Sequence, residues 1–181
     1  MNAEQFEEEA YMYLGRIFDG RRVCRQFSID TNASDVFTSD AGYLPRLDLA
    51  IGPYNVTTDR ERNAENIMAA ANNSFIREII TIAADQNSQF IENKNPRCLL
   101  SIEIEFSGSS KLIMGDFTNA GMMGHVGLII GPSEGDMMKR IICVQDYVKT
   151  LRNLDKAPPT LFMNVACLDG HKFLQILQRF L

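Results

Sequence analysis

The chain of 181 residues contains no tryptophan, only two histidines, four cysteines and six prolines. Without tryptophan there is no rich aromatic platform for a sugar, which weighs against a glycosidase built on a carboxylate pair. Cys24, Cys98, Cys143 and Cys167 lie far apart, with no C-x-x-C pair and no neighbouring histidine. That spacing excludes a recognisable zinc motif, and the cysteines are expected to be small buried hydrophobes and not a disulfide framework. No window approaches the roughly 20 apolar residues of a membrane span. The segment MNAEQFEEEA is acidic where a secretory signal would be basic and then apolar, so a cytoplasmic location without membrane attachment is expected. Positive charge is also in short supply. With 18 Lys and Arg against 23 Asp and Glu, the net charge of −5 argues against gripping nucleic acid by bulk charge, though not against a local basic groove. The glycines at 108, 115, 121, 124, 127 and 131 match neither G-x-G-x-x-G nor the phosphate-loop pattern, and are expected at turns and close packing points.

What is present is a globular composition, 45% hydrophobic, with no repeat or Pro/Gly-rich linker to divide it. A single α/β domain over residues 1–181 is expected. Apolar residues at helical spacing predict a helix from Gln5 to Phe18, stopped near Gly20, with Glu7, Glu8 and Glu9 toward its N-terminus. A polar loop spans Asp30 to Asp40. Alternation then predicts a strand over Arg46–Ile51, ended by Gly52 and Pro53. Thr58 and Glu61 form a capping-box pattern before a helical segment reaching about Asp85, with a break near Asn72 to Ser74. Leu99–Phe106 reads as a strand, Ser110–Ala120 as a short helix, and Val126–Ile130 as a strand covered on both faces. A helix over Asp136–Arg152, a strand over Thr160–Cys167 and a last helix capped by Asp169 follow. Strands separated by helices from residue 99 onward imply a mixed or parallel sheet with helices on both faces.

The acids carry the chemical signal. Glu103 and Glu105 are two apart on a predicted strand, so their side chains are expected on one face about 6 to 7 Å apart, given a rise of about 3.3 Å per residue. Carboxylates held side by side repel, and need water, a positive partner or a metal ion. Asp48 sits on another predicted strand, just before the Gly-Pro turn. If those strands are neighbours, Asp48, Glu103 and Glu105 form a hard, oxygen-rich site suited to Mg²⁺, with Mn²⁺ as the alternative. A solvated strand face and a turn-stabilising aspartate are the plainer readings. His125 and His171 accompany no nucleophile elbow; His125 is expected to be structural and Asp169-Gly170-His171 a helix-capping turn. Met137 and Met138 are expected in the core or at a dimer contact.

The succession PRLDLAIGP, SIEIEFSGSSK, a short helix and HVGLIIG resembles the core of the PD-(D/E)xK restriction-endonuclease-like nucleases, over about residues 45 to 165. The resemblance implies a three-layer core, with a mixed central sheet flanked by helices, and a helical insertion at about 57–90. It implies Asp48 and Glu103 as metal ligands and metal-assisted hydrolysis of phosphodiester bonds in DNA. Glu105 stands where the family usually has lysine, and would order or deprotonate the attacking water. Lys111, six residues further on, would reach back toward the phosphate, although a lysine at a helix start is ordinarily a surface residue. Glu9 and Glu78 are further helix carboxylates that could join the site, and Arg60, Arg62 and Arg77 could contact phosphate. Two departures stand out: Pro45 precedes Asp48 by three residues, and the 55-residue interval to Glu103 is long. The competing expectation is a non-catalytic binding or regulatory protein that keeps the fold with a degenerate site. Either reading leaves room for a homodimer or a protein partner.

Overall fold

Five strands and five helices are described in a computed structural model that covers residues 1–18, 22–28, 46–54, 65, 67, 68, 71–87 and 90–181. Pro45, Thr58, Arg60, Glu61, Arg62, Gly20 and the Asp30–Asp40 loop lie outside the described residues. Helix α1 spans Ala3–Ile17 and starts ahead of the predicted Gln5 because Asn2 and Gln5 close a reciprocal capping box. Strands β1 (Val23–Ser28) and β2 (Arg46–Ile51) follow, then helix α2 (Ser74–Gln86). The break expected near Asn72 to Ser74 is the start of α2, where Asn73 accepts from the amides of Phe75 and Ile76. The remaining elements are β3 (Cys98–Ile104), α3 (Ser110–Met123), β4 (Gly124–Gly131), α4 (Met137–Asn153), β5 (Val165–Asp169) and α5 (Gly170–Arg179).

The sheet order is β1-β2-β3-β4-β5. The first three strands pair antiparallel, and β3, β4 and β5 run parallel. Each parallel connection carries a helix, α3 and then α4, and both lie on one face. There Ile113, Phe117, Ala120, Ile141 and Val144 cover Ile129, Val165 and Cys167. The opposite face is covered by α1, α2 and α5 through Phe6, Leu14, Phe75, Ile79, Phe173 and Leu177, against Leu49, Leu100, Ile102, Val126, Leu128 and Leu168. The result is a three-layer α/β arrangement around a mixed sheet. Strand β4 is buried along its whole length, which accounts for its unbroken apolar run.

Two strands depart from the sequence pattern. β1 is an edge strand whose Val-Cys-Arg-Gln-Phe-Ser lacks a clean alternation, and Gln26 has a positive φ of 50°. The strand predicted over Thr160–Cys167 is displaced to Val165–Asp169. Residues 160–164 form turns in which Phe162 takes a φ of 54° and stacks toward Phe117 at 6.0 Å. Arg152 holds that turn by donating to the Leu161 carbonyl at 2.6 Å. All four cysteines are free; Cys98 and Cys167 are buried as expected, whereas Cys24 is half-buried and Cys143 is exposed on α4. No helix among the described residues is long and apolar enough to cross a membrane.

Candidate active site

The antiparallel register pairs Leu49 with Ile102 and Ala50 with Ser101. One step further, Asp48 stands opposite Glu103, on the face of the sheet that α3 covers. Two ionised carboxylates directly opposite on neighbouring strands would be destabilising, which favours a proton on one of them. The strands lock the two acids into the backbone. Asp48 Oδ2 accepts from the Ile104 amide at 2.7 Å, and the Asp48 amide donates to Glu103 Oε2 at 3.4 Å. Asp48 Oδ1 accepts from the Gln26 side chain at 3.3 Å, so β1 also touches the site.

Glu103 is only 4% exposed. Burial first, and then the charge of Asp48, push its carboxyl from 4.5 up to about 9, opposed by a hydrogen bond from the Asn119 side chain. Its Oε1 is buried with no hydrogen-bond partner among the described residues. Asp48 is also raised, chiefly by burial, with the Ile104 amide acting the other way.

Glu105 is placed differently from the expectation of two parallel carboxylates on one strand. β3 ends at Ile104, and the Glu105 side chain turns back to accept from the amides of Ser107 and Gly108. A Cβ at position 108 would run into this carboxylate, which is the reason for glycine there. The other partner of Glu105 comes from α3. Asp116 is pushed up to about 7 by burial and by the charge of Glu105, and its protonated form hydrogen-bonds Glu105. Asp116 Oδ2 is likewise buried with no partner among the described residues.

Asp116 and Asn119 were therefore the residues hidden from the sequence pattern. The signal for Asp116 was present: it is the only acid in SKLIMGDFTNAGMM, next to the buried stripe of Ile113, Phe117 and Ala120. Helical spacing turns it to the sheet beside them.

Other candidates fall elsewhere. Lys111 is exposed in the first turn of α3. Glu78 pairs with Arg179, and Arg77 donates to Asn72. On α1 it is Glu7, not Glu9, whose charge reaches Asp48, and Glu7 is itself paired with Arg25 at 2.8 Å. His125 is buried, with Nδ1 3.2 Å from the Asn93 carbonyl and Nε2 3.6 Å from Glu92. The His171 ring meets Gln175, and Asp169 caps α5 by accepting from the Lys172 amide.

Asp48 and Glu103 suit a hard divalent cation: both are oxygen donors, and a buried acceptor atom has no donor. Among the described residues, no three His, Cys, Asp or Glu side chains are already gathered around one point. The two-carboxylate set is what Mg²⁺ ordinarily takes from protein, with water and phosphate oxygens completing its shell. No family model, curated protein or solved structure matches the chain.

Proposed function

We propose that the chain is a metal-dependent nuclease that hydrolyses phosphodiester bonds in DNA, on a restriction-endonuclease-like core. The observation that carries this reading is the opposed pair Asp48 and Glu103 on neighbouring strands, with a buried Glu103 oxygen that lacks a donor. The order of an antiparallel β1-β2-β3 followed by α3 and a parallel β4 supports it, since Asp48 in Arg46–Ile51 and Glu103 in Cys98–Ile104 lie on adjacent strands.

In this reading Asp48 and Glu103 hold Mg²⁺ or Mn²⁺, which would neutralise phosphate charge and lower the pKa of a bound water. Glu105 sits at the end of β3, next to that pair. Its carboxylate is fixed by two amides and carries a proton link to Asp116, so it can orient a water and accept a proton from it. Lys111, exposed on the first turn of α3, would approach substrate phosphate from outside the acidic cluster.

The test is cleavage of plasmid, linear and single-stranded DNA, and of RNA, with Mg²⁺ or Mn²⁺. Wild type should cleave at least one, and Glu103→Gln should lose about 100-fold or more, as removal of a charge-stabilising group typically does. Equal rates in the two proteins would sink the assignment. The second reading, a non-catalytic binding or regulatory relative, draws on Glu105 itself, whose carboxylate is engaged in its own turn and stands where the family's lysine would be. It predicts no Mn²⁺ binding that depends on Asp48 and Glu103, which calorimetry would reveal.

A further inference from the structure

Helix α3 brings to the acidic pair a carboxylate that the two-strand motif does not account for. Asp116 lies within the electrostatic reach of Asp48, Glu103 and Glu105, and among the described residues no lysine, arginine or histidine is a cause of the shifts of Asp48, Glu103 or Asp116. Two oxygens in this cluster, Glu103 Oε1 and Asp116 Oδ2, are buried with no hydrogen-bond partner among the described residues. A plain proton-sharing pair would satisfy its oxygens mutually, as Asp116 and Glu105 do on their shared side. Glu103, 4% exposed, has no such arrangement at Oε1. Asn119 of α3 hydrogen-bonds Glu103, yet among the described residues these two oxygens, one on the strand and one on the helix, have no donor or cation of their own.

We propose that Asp116 is a positioning residue for that cation, holding a water of the hydration shell of the ion bound by Asp48 and Glu103. The proposal rests on the nuclease reading of Asp48 and Glu103 as the ligand pair. Action through water follows from the geometry, because three such side chains are not gathered at one point among the described residues. It also follows from the ion, since Mg²⁺ and Mn²⁺ sites of two carboxylates keep several waters. Asp116 suits the role chemically: one side is tied to Glu105, and the free Oδ2 is an acceptor for a water proton. Asn119, one turn further along α3, fixes Glu103 from the same helix. The helix thus supplies an outer layer to ligands that come from the sheet.

The test uses the whole chain and Mn²⁺ alone. Mn²⁺ binding is measured by calorimetry, and the water on the bound ion by the relaxation rate of solvent protons. Asp116→Asn should weaken Mn²⁺ binding by about tenfold, as loss of an outer-shell partner typically does, and should change the relaxation enhancement per bound ion. Asp116→Glu should restore part of both. Asp116→Asn binding Mn²⁺ with wild-type affinity and relaxation enhancement would overturn the proposal while leaving the ligand pair intact. No Mn²⁺ binding by the wild type, or binding unchanged in Asp48→Asn, would overturn the ligand pair and this proposal with it. If Asp116→Asn proves unfolded by circular dichroism, Asp116→Ser carries the same comparison.

Discussion

At the scale of single residues, Glu103 places the largest electrostatic demand on the fold. Its carboxyl is raised from 4.5 to about 9, so the folded chain holds a proton that the unfolded chain releases. Between those values the native state binds more protons. The contribution of this group to stability is therefore fully present below the unfolded value and is lost as pH rises toward about 9. Asp48 and Asp116 are shifted the same way and add to the fall. The slope approaches about 1.4 kcal/mol per pH unit for each proton held only by the folded chain. In chelator, urea unfolding from pH 5.5 to 8.5 should show declining stability, and Glu103→Gln should flatten the decline by close to one proton. An unchanged slope in that variant would show that Glu103 is ionised in the fold. Asp48 and Glu103 were legible in the sequence because strand alternation fixes which face a residue takes. Glu105 was not, because β3 stops one residue short of it and the side chain serves its own turn. Alternation assigns a face only while the strand continues.

At the scale of elements, the contact that builds the site is the approach of α3 to β4. A Cβ on Gly127 would come within 2.9 Å of the Ala120 carbonyl oxygen, a backbone atom that cannot swing aside. Gly127 therefore sets how closely α3 lies on the sheet, and with it the reach of Asp116 and Asn119 toward Glu103. Gly127→Ala should cost about 1–3 kcal/mol, the range for overpacking a well-filled interior. It should also weaken Mn²⁺ binding without removing any carboxylate. A thermal melt paired with a Mn²⁺ titration checks both, and a variant with reduced stability but unaltered Mn²⁺ affinity would separate the helix from the site. The helices were largely legible because each has an apolar stripe, and Asp169 caps α5 as expected, whereas Asn73 caps α2 where only a break in a longer helix was expected. The strand at Thr160–Cys167 was misplaced for a tertiary reason. Leu161, Phe162 and Met163 look like a strand by composition, yet Phe162 is drawn toward Phe117 and the Arg152 hydrogen bond closes a turn there. Local propensity lost to packing and to one side-chain donor.

At the scale of the whole molecule, the formal charge of −5 opposes association with a polyanion. In the proposed nuclease reading a phosphate approaches the end of the sheet where Asp48, Glu103, Glu105 and Asp116 gather, and there the carboxyls hold protons until a cation displaces them. A divalent ion, if bound there as proposed, would make the local potential positive while the net charge of the chain opposes a polyanion elsewhere. Binding of a duplex should therefore depend on the cation and involve few additional phosphates. Each neutralised phosphate contributes about −0.9 to the slope of log affinity against log salt, so a shallow slope is expected. Fluorescence anisotropy with a phosphorothioate-linked duplex measures this without interference from cleavage. Saturable binding should appear with Mn²⁺ and vanish in chelator, and Asp48→Asn should abolish the difference. Tight binding in chelator with a steep salt slope would point instead to a basic surface remote from the acids, and would detach nucleic-acid recognition from the opposed carboxylates of β2 and β3.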